Sequence, residues 1–249
     1  MSIKNVQKAY EKVGADDPLW AILTDDKKRG NKWDPEEFFE TGRNEINSVI
    51  AYLESIDIEI NYGNAFDFGC GVGRLTQGLC YHFDQVTGVD ISNTMIAGAI
   101  GYNKFDKKCT YITNTEPNLK CLSSNTFDFV YTNIVLQHMA PRYQVEYIKE
   151  FFRILKPGGI ALFQVRAAKG SSPKPGSLAE KMYNFKMERL KPFWKTIRGR
   201  PPIEVHTISP HIVEQIIAES GATILDVKVV DKRVRRWHKN LRYCAMKPT

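Results

Sequence analysis

The sequence has no long apolar run and no concentrated set of cysteines. No stretch approaches the roughly 20 apolar residues that a helix needs to cross a bilayer, and the opening residues MSIKNVQKAYEKV lack the apolar core of a secretion signal. The five cysteines are widely spaced and form no Cys-x-x-Cys pair, so neither a disulfide framework nor a zinc site is expected. These absences predict a protein without a membrane span that works in a reducing cytoplasm.

Positive charge is abundant but unevenly placed along the 249 residues, whose net charge is +7. Residues 167–207 contain nine Lys or Arg and three Glu, and residues 222–249 contain eight Lys or Arg and two Asp. The rest of the chain is therefore acidic. A basic surface raises the local concentration of anionic partners, which makes a phosphate- or carboxylate-bearing metabolite or a nucleic acid a candidate partner. Charge that serves solubility alone is the alternative.

The stretch from Asn64 to Ser92 has the pattern of a strand, a glycine-rich turn, a helix and a second strand. A short apolar run ends at Gly69, Gly71 and Gly73, and the second strand ends at Asp90. Glycines at such a turn let the backbone approach a ligand closely and leave amide groups facing it. Asp90 lies 21 positions after the first glycine. This spacing suits a carboxylate that accepts hydrogen bonds from the two hydroxyls of a ribose.

The same turn departs from two other nucleotide-binding patterns. A dinucleotide fingerprint has Gly or Ala where this chain has Arg74, and no Gly-Lys-Ser/Thr follows, which excludes a phosphate loop. Asp67 precedes the first glycine by two positions, where a carboxylate suits a cationic ligand better than a pyrophosphate. The three glycines, with Asp67 before them and Asp90 behind, resemble the class I S-adenosylmethionine-dependent methyltransferases. A glycine turn of another nucleotide-binding α/β protein is the alternative.

The resemblance implies that the chain binds S-adenosylmethionine and releases S-adenosylhomocysteine. Asp67 and the glycine turn would hold the amino-acid end, Asp90 the ribose, and Asn114 the adenine edge, with Glu116 a weaker candidate there. In this family a helix ahead of the turn often covers the cofactor, so Phe38 is a further candidate for contact. The predicted cofactor-binding residues are Asp67, Gly69, Cys70, Gly71, Gly73, Arg74, Asp90, Ile91, Asn114, Thr115, Asn133, Phe39 and Arg43.

Strand and helix patterns alternate after the turn, which predicts a doubly wound, mostly parallel α/β sheet. Further strands are expected at 109–113, 127–132 and 160–165. The last two strands, at 223–230 and 241–246, have no crossover helix between them and must pair as a hairpin. The resemblance implies the same architecture: a Rossmann-like sheet of seven strands with an antiparallel final strand at its end.

Helix signals divide the rest of the chain. Asp34 as N-cap, followed by Pro35 and by Glu37 in a capping box, predicts a helix start. The residues before it are expected to form a short helix and a loop. We interpret residues 1–60 as an N-terminal helical cap and residues 61–249 as the methyltransferase domain. Two later helices are expected, one at 93–104 and one that begins at Ser209-Pro210 and turns Ile212 inward.

Residues 167–207 interrupt the alternation of strands and helices. A connection of this length exceeds the few residues usual between elements and favours a functional role. It opens with the loop-like sequence GSSPKPGS, and a helix is expected at 178–190. Because it follows the carboxyl end of the fifth strand, we interpret it as a basic lid or a wall of the substrate site.

The acceptor of the methyl group is expected to enter near the ends of the fourth and fifth strands. His138 lies there and is the candidate general base, because an imidazole titrates near neutrality; a role in shaping the site is the alternative. Gln137, His138 and Arg166 are the predicted substrate-binding residues, and His206 and His211 are weaker candidates for the base. An amine or thiolate acceptor would need no base.

Several subclasses are disfavoured by missing motifs. The fourth strand is followed by Asn133-Ile134-Val135 rather than by Asn/Asp-Pro-Pro-Tyr/Phe, which argues against methylation of adenine amino groups or glutamine amides, and no Pro-Cys pair offers the nucleophile of a cytosine C5 enzyme. No acids cluster near the expected cleft, so no metal is expected.

We predict O-methylation of a small molecule such as a sugar or natural-product hydroxyl. An RNA methyltransferase, an N-methyltransferase of a small amine and a cofactor-binding scaffold are the alternatives.

Overall fold

The computed structural model describes residues 3–168, 204–230 and 238–249. Strands β1–β7 span Asn64–Phe68, Gln85–Asp90, Cys109–Thr113, Phe127–Thr132, Leu155–Ala168, Thr223–Val229 and His238–Met246. Helices α1–α7 span Ile3–Asp16, Pro18–Ile22, Pro35–Glu54, Arg74–Leu79, Asn93–Tyr102, Pro141–Ile154 and Pro210–Glu219, and short 3₁₀ helices span Asp106–Lys108 and Leu136–His138. The predicted insertion helix at 178–190 lies outside the described residues.

The seven strands form one sheet in the order β3-β2-β1-β4-β5-β7-β6. Strands β1 to β5 pair in parallel, and β7 runs antiparallel to both β5 and β6, which confirms the predicted fold class. The final strand was expected at the end of the sheet, but it lies between β5 and β6. Its Tyr243, Cys244 and Ala245 are fully buried, whereas β6 exposes Leu225 and Val227. The more apolar strand therefore takes the interior position and β6 becomes the edge.

Alternate side chains of β1 enter two separate cores. Phe66 and Phe68 pack in a cluster beneath α6 and α7, whereas Ala65 packs in a second cluster beneath α3 and α4. The order of the strands reverses at β1, because β2 lies on one side of it and β4 on the other. In open α/β sheets a ligand site lies at the carboxyl ends of the strands at such a reversal.

The start of α3 follows the predicted signals. Asp34 accepts a hydrogen bond from the backbone N–H of Glu37 at 2.9 Å, and Pro35 occupies the first turn. The Glu37 carboxylate does not complete the capping box, because it pairs with Lys28 instead. The residues ahead of α3 form two helices, α1 and α2, rather than the one short helix expected.

Two apolar helix residues lie outside the core, and for Ile212 the predicted inward position is wrong. Ile100 is 61% exposed and Ile212 is 41% exposed. In α5 the buried face consists of Met95, Ile96 and Ala99, and Ile100 lies one further residue, about 100°, around the helix. Ile212 is displaced in the same way from the buried Val213 in α7.

Helices α3 and α4 approach each other through glycines. A Cβ added to Gly42 would lie 2.2 Å from the carbonyl oxygen of Arg74, and one added to Gly78 would lie 2.8 Å from the carbonyl oxygen of Gly42. Only glycine permits this backbone contact. As a result the next turn of α3, which carries Glu45, reaches the carboxyl ends of β1 and β4.

Gly42→Ala should therefore destabilise the protein by about 1–3 kcal/mol, because the new methyl group has only backbone to displace. Gly101→Ala is the matched control: its added Cβ meets nothing within 4 Å, so the substitution should be neutral or stabilising by about 0.5–1 kcal/mol. Thermal and urea unfolding of the two variants measure the difference. Equal stability of the two variants would contradict the close packing of α3 on α4.

Within the described part of the chain, no helix has both the length and the apolar character needed to cross a membrane. The separation of a cap at residues 1–60 from the domain that follows stays a prediction.

Candidate functional site

A cavity of about 200 Å³ lies at the carboxyl ends of β1, β2 and β4. Its floor is the turn after β1, and Asp90 at the end of β2 and Asn133 just after β4 lie on either side of that turn. Helix α1 covers it with Val6 and Tyr10, and the end of α2 adds further apolar wall. The cavity therefore occupies the strand-order reversal at which a ligand site is expected.

The structure brings most of the predicted cofactor-binding residues together in the lining. These are Gly69, Cys70, Gly71, Arg74, Asp90, Ile91, Asn114 and Asn133, together with His138 from the acceptor set. The other predicted residues lie outside the lining that the described residues form: Phe39, Arg43, Asp67, Gly73, Thr115, Gln137 and Arg166. Ligand binding by the residues of either group stays a prediction.

The glycine turn has a conformation that favours glycine, with φ values of 74° at Gly69, 54° at Gly71 and 84° at Gly73. The backbone N–H groups of Gly69 and Cys70 donate to the carbonyl oxygen of Val89 at 2.7 and 3.0 Å. These two bonds hold the turn against the end of β2. Neighbouring side chains leave no space for a larger residue, because a Cβ at Gly69 would lie 2.4 Å from a methyl group of Val135.

Asp90 links the glycine turn to the start of α5. One of its carboxylate oxygens accepts from the N–H of Gly71 at 2.9 Å, and the other accepts from the N–H of Ser92 at 2.9 Å. Burial raises the pKa of Asp90 above its ordinary value, although hydrogen bonds from the backbone N–H groups of Ser92, Gly71 and Ile91 oppose the rise. A carboxylate has about four acceptor positions, so Asp90 keeps acceptor capacity beyond its backbone donors.

Asp67 lies beneath the turn rather than in the cavity. It is 1% exposed, and its carboxylate accepts from the Thr76 hydroxyl at 2.7 Å. Burial raises the pKa of Asp67 to about 7, against the opposing effects of the Thr76 hydroxyl and the nearby Arg74. The carboxyl group thus connects β1 with α4.

Glu45 of α3 was not predicted, yet its carboxylate lines the cavity. It accepts from Arg74 at 2.7 Å, from the Tyr131 hydroxyl at 3.0 Å and from the side-chain amide of Asn133 at 2.6 Å. Burial opposes its ionisation, but Arg74 and the other donors outweigh burial and hold the pKa of Glu45 below its ordinary value. The signal available in the sequence was Gly42, three residues earlier on the same helix face.

Helix α1 contributes two further residues that sequence reasoning did not identify. Tyr10 lines the cavity with its ring 6.1 Å from that of His138, and burial and the nearby Asp90 raise the pKa of its hydroxyl. Glu11 accepts from the backbone N–H groups of Asn93 and Thr94 at 2.7 and 3.1 Å and so caps α5. Helix α1 is thereby attached to the loop that follows Asp90.

His138 lies at the cavity wall, on the β4 side. Its Nδ1 is 3.1 Å from the carbonyl oxygen of Glu204, and its Nε2 is 3.2 Å from the side-chain nitrogen of Gln137. A carbonyl only accepts, so Nδ1 carries the proton in the neutral ring and Nε2 is the acceptor. The residue thus has the tautomer that a base acting through Nε2 requires.

The segment after the predicted insertion packs beside His138. The N–H of His206 donates to the carbonyl oxygen of Gln137 at 2.7 Å, and the N–H of Ile208 donates to the carbonyl oxygen of Arg166 at 3.0 Å. Nε2 of His206 lies 3.1 Å from Oε2 of Glu204, and His211 is exposed on α7. The two weaker candidates for the base therefore stand outside the cavity lining.

Asn114 lines the cavity, but its amide is already used by its own loop. The amide nitrogen donates to the carbonyl oxygen of Asn118 at 2.6 Å, and the amide oxygen accepts from the N–H of Glu116 at 3.2 Å. Its side chain therefore shapes the loop after β3, and contact with an adenine edge stays a prediction.

Within the described ranges, no three His, Cys, Asp or Glu side chains come together as a metal site. The fold and the cavity together define a Rossmann-like α/β protein whose ligand site combines a glycine turn with a strand-end carboxylate.

Comparisons with known proteins identify a methyltransferase domain within the chain. Residues 66–163 match the family model described as a methyltransferase domain. The fold is similar to that of a magnesium protoporphyrin IX methyltransferase from Synechocystis PCC 6803, solved with bound S-adenosylhomocysteine. The structural match extends over 98% of this chain and 99% of that one, with a TM-score of 0.63 and 19% sequence identity. This likeness shows the fold. Residues 66–163 are thus a methyltransferase domain, and the fold is that of the class I S-adenosylmethionine-dependent methyltransferases, as the glycine turn predicted.

Three curated relatives differ in what their names describe. A carboxy-S-adenosyl-L-methionine synthase of Aeromonas salmonicida is 27% identical over 49% of this chain, and phosphoethanolamine N-methyltransferase 3 of Arabidopsis thaliana is 26% identical over 56%. A mitochondrial ubiquinone biosynthesis O-methyltransferase of Dictyostelium discoideum is 32% identical over 39%. The matches span 51%, 28% and 33% of those proteins, respectively.

Proposed function

We propose that the protein transfers a methyl group from S-adenosylmethionine to a hydroxyl of a small molecule, such as a sugar or natural product, including phosphate-linked ones. The observation that carries the proposal is Asp90, which lines the cavity at the end of β2 and whose carboxylate keeps acceptor capacity for a ribose beyond its backbone donors. In this proposal the Asp90 side of the cavity takes the nucleoside, and S-adenosylhomocysteine is the product.

The walls of the cavity support a small acceptor. Tyr10 from α1, Ile22 from α2 and His138 on the β4 side line the cavity, whose volume of about 200 Å³ favours a small ligand. The basic residues of 167–207 supply the argument for an anionic acceptor, although most of that segment lies outside the described residues. A cytoplasmic location belongs to the same proposal and rests on the scattered cysteines.

The reaction is an in-line displacement in which the protein supplies orientation and a proton acceptor. S-adenosylmethionine, held by the glycine turn and Asp90, would supply a methyl group on a sulfonium. As the acceptor oxygen bonds to the methyl carbon, the bond from that carbon to sulfur would break and its electron pair would stay on sulfur, leaving the thioether S-adenosylhomocysteine. The hydroxyl proton goes to Nε2 of His138. Gln137, which contacts that nitrogen at 3.2 Å, would have to yield to the acceptor hydroxyl.

His138→Ala should lower kcat for a hydroxyl acceptor by about 10²–10⁴-fold, the usual contribution of general-base catalysis. Affinity for S-adenosylhomocysteine should change little, because the ring acts on the acceptor. Methyl-transfer assays and calorimetry measure the two effects. His82→Ala, which removes a partly exposed imidazole bonded to Asn47 outside the cavity lining, should leave kcat unchanged. An unaltered kcat in His138→Ala would remove this residue as the base.

A methyl-transfer screen against sugar nucleotides, small phenols, small amines and total RNA tests the acceptor class. The expected result is transfer to a hydroxyl compound, and transfer to amines alone would replace the proposal by N-methylation, which the Arabidopsis relative favours. Salt-dependent RNA binding that is lost when Arg198 and Arg200, outside the described residues, are neutralised would favour an RNA substrate. A protein that binds no S-adenosylmethionine would leave only a scaffold role.

A further inference from the structure

The cavity contains a second carboxylate besides Asp90, and the proposed transfer step does not use it. Glu45 lies on the β4 side of the glycine turn, whereas Asp90 lies on the β2 side. A ligand whose ribose contacts Asp90 and which extends over the turn would reach Glu45. The charges and hydrogen-bonding groups around Glu45 therefore indicate which chemical groups the end of that ligand carries.

Glu45 and Arg74 form a largely buried ion pair, with side-chain exposures of 24% and 9%. Removing two charges from water is costly, and such a pair is weak evidence for a purely stabilising role. The two charges cancel, so the pair presents hydrogen-bonding groups without a net charge. This arrangement suits a ligand group that is itself a zwitterion.

The cluster has open hydrogen-bonding positions of both kinds. Glu45 accepts three hydrogen bonds of the about four that a carboxylate can take. Asn133 donates its amide N–H to Glu45, so its oxygen must point away, because the reverse orientation would set two acceptors against each other. That oxygen, Oδ1, is buried and has no hydrogen-bond partner among the described residues; the same holds for Nε of Arg74.

We propose that Glu45 and Asn133 bind the α-ammonium group of the amino-acid end of the cofactor, next to Arg74. This inference rests on the proposed function, because it names the residues that would hold one end of S-adenosylmethionine. An ammonium has three donors and no acceptor, which matches the Asn133 oxygen and the remaining position of Glu45. Arg74 Nε is left for the neighbouring carboxylate of the same zwitterion.

A structural role for the ion pair makes a different prediction. Arg74 also donates to the Thr41 hydroxyl at 3.3 Å, so the pair helps to attach α4 to α3. If that were its whole role, loss of Glu45 would weaken all cofactor-like ligands alike through a disturbed cavity. If Glu45 binds the ammonium group, only ligands that carry the group should be affected.

Three thioether ligands separate these possibilities by calorimetry with the whole chain at pH 7.5. S-adenosylhomocysteine carries ammonium and carboxylate, S-adenosyl-3-thiopropylamine carries the ammonium alone, and 5′-methylthioadenosine carries neither. Glu45→Gln and Asn133→Ala should each weaken the first two ligands by about tenfold or more and change methylthioadenosine by less than about twofold. Glu54→Gln, an exposed change on the same helix, should change none.

Equal weakening of all three ligands, or of none, would overturn the ammonium site, and so would weakening of S-adenosylhomocysteine alone. If Glu45→Gln loses methylthioadenosine binding and melts at a lower temperature, the substitution has damaged the cavity. The Asn133→Ala variant then tests the ammonium site, with the same expected pattern of ligand affinities. A wild-type protein that binds none of the three ligands would overturn the proposed function itself. A wild type that binds them, with variants that do not discriminate among them, would overturn only the ammonium site.

Discussion

Asp90→Ala is expected to weaken S-adenosylhomocysteine binding by about 100-fold or more. The substitution removes the proposed acceptor of two ribose hydroxyls, and hydrogen bonds to a charged group contribute about 1.5–3 kcal/mol each. It also leaves the N–H groups of Gly71 and Ser92 without the carboxylate that holds the turn and the start of α5 together. Calorimetry with S-adenosylhomocysteine measures the loss.

Asp84→Ala is the matched control for this experiment, since Asp84 is exposed just ahead of β2 and lies outside the cavity lining. It should bind as the wild type does. Asp90→Asn, which keeps the shape and one acceptor oxygen, should fall between wild type and Asp90→Ala. Wild-type affinity in a folded Asp90→Ala protein would remove Asp90 as the ribose ligand and, with it, the main support for the proposed cofactor orientation.

Asp67→Asn is expected to stabilise the protein by about 2–4 kcal/mol at pH 8 and by little at pH 4. Burial raises the pKa of Asp67 to about 7 from an ordinary value of 3.8. A carboxyl group with a raised pKa in the folded state contributes most stability below its unfolded pKa, and this contribution is lost as the pH rises through 7. Asparagine is neutral throughout and still accepts from Thr76, so it avoids the cost of a buried charge.

Urea unfolding of wild type and Asp67→Asn between pH 4 and pH 8 measures this effect. Thr76→Val is the complementary variant, because it retains the carboxyl group and removes the hydroxyl that donates to it at 2.7 Å. That change should lower stability, and most strongly above pH 7. A stability difference between Asp67→Asn and wild type that does not vary with pH would show that the pKa of Asp67 is not raised in the folded protein.

The parts of the fold that depend on local pattern could be predicted closely. Both β3 and β4 have the predicted bounds, and Asp34 begins α3 by accepting the predicted type of hydrogen bond. Strands and caps are specified by residues near one another in the chain, so their signals survive in the sequence. The buried face of a short helix is less well specified, as the exposed Ile212 shows.

The residues of the candidate site also fall into two groups, those that a local sequence pattern could predict and those that it could not. The glycine turn and Asp90 lie within one strand–turn–helix–strand unit, so their meeting in space followed from their spacing. Glu45, Tyr10 and Glu11 come from helices ahead of that unit. Apart from Gly42, which permits a close contact beside Glu45, nothing in their local pattern indicates which surface those helices cover. Asp67 shows the opposite case: its position in the motif was evident, but only the structure shows it beneath the turn, bonded to Thr76.

By itself, the sequence determined the class of this protein, because a glycine turn, a strand-end carboxylate and a regular alternation of strands and helices are local features. Only the tertiary structure decided which other side chains enter the cavity. Those side chains are brought there by packing between distant elements, such as the glycine contact of α3 with α4 that delivers Glu45 and the Glu11 cap that attaches α1 to α5. Packing of this kind depends on the shapes of two surfaces at once, which no single stretch of sequence contains.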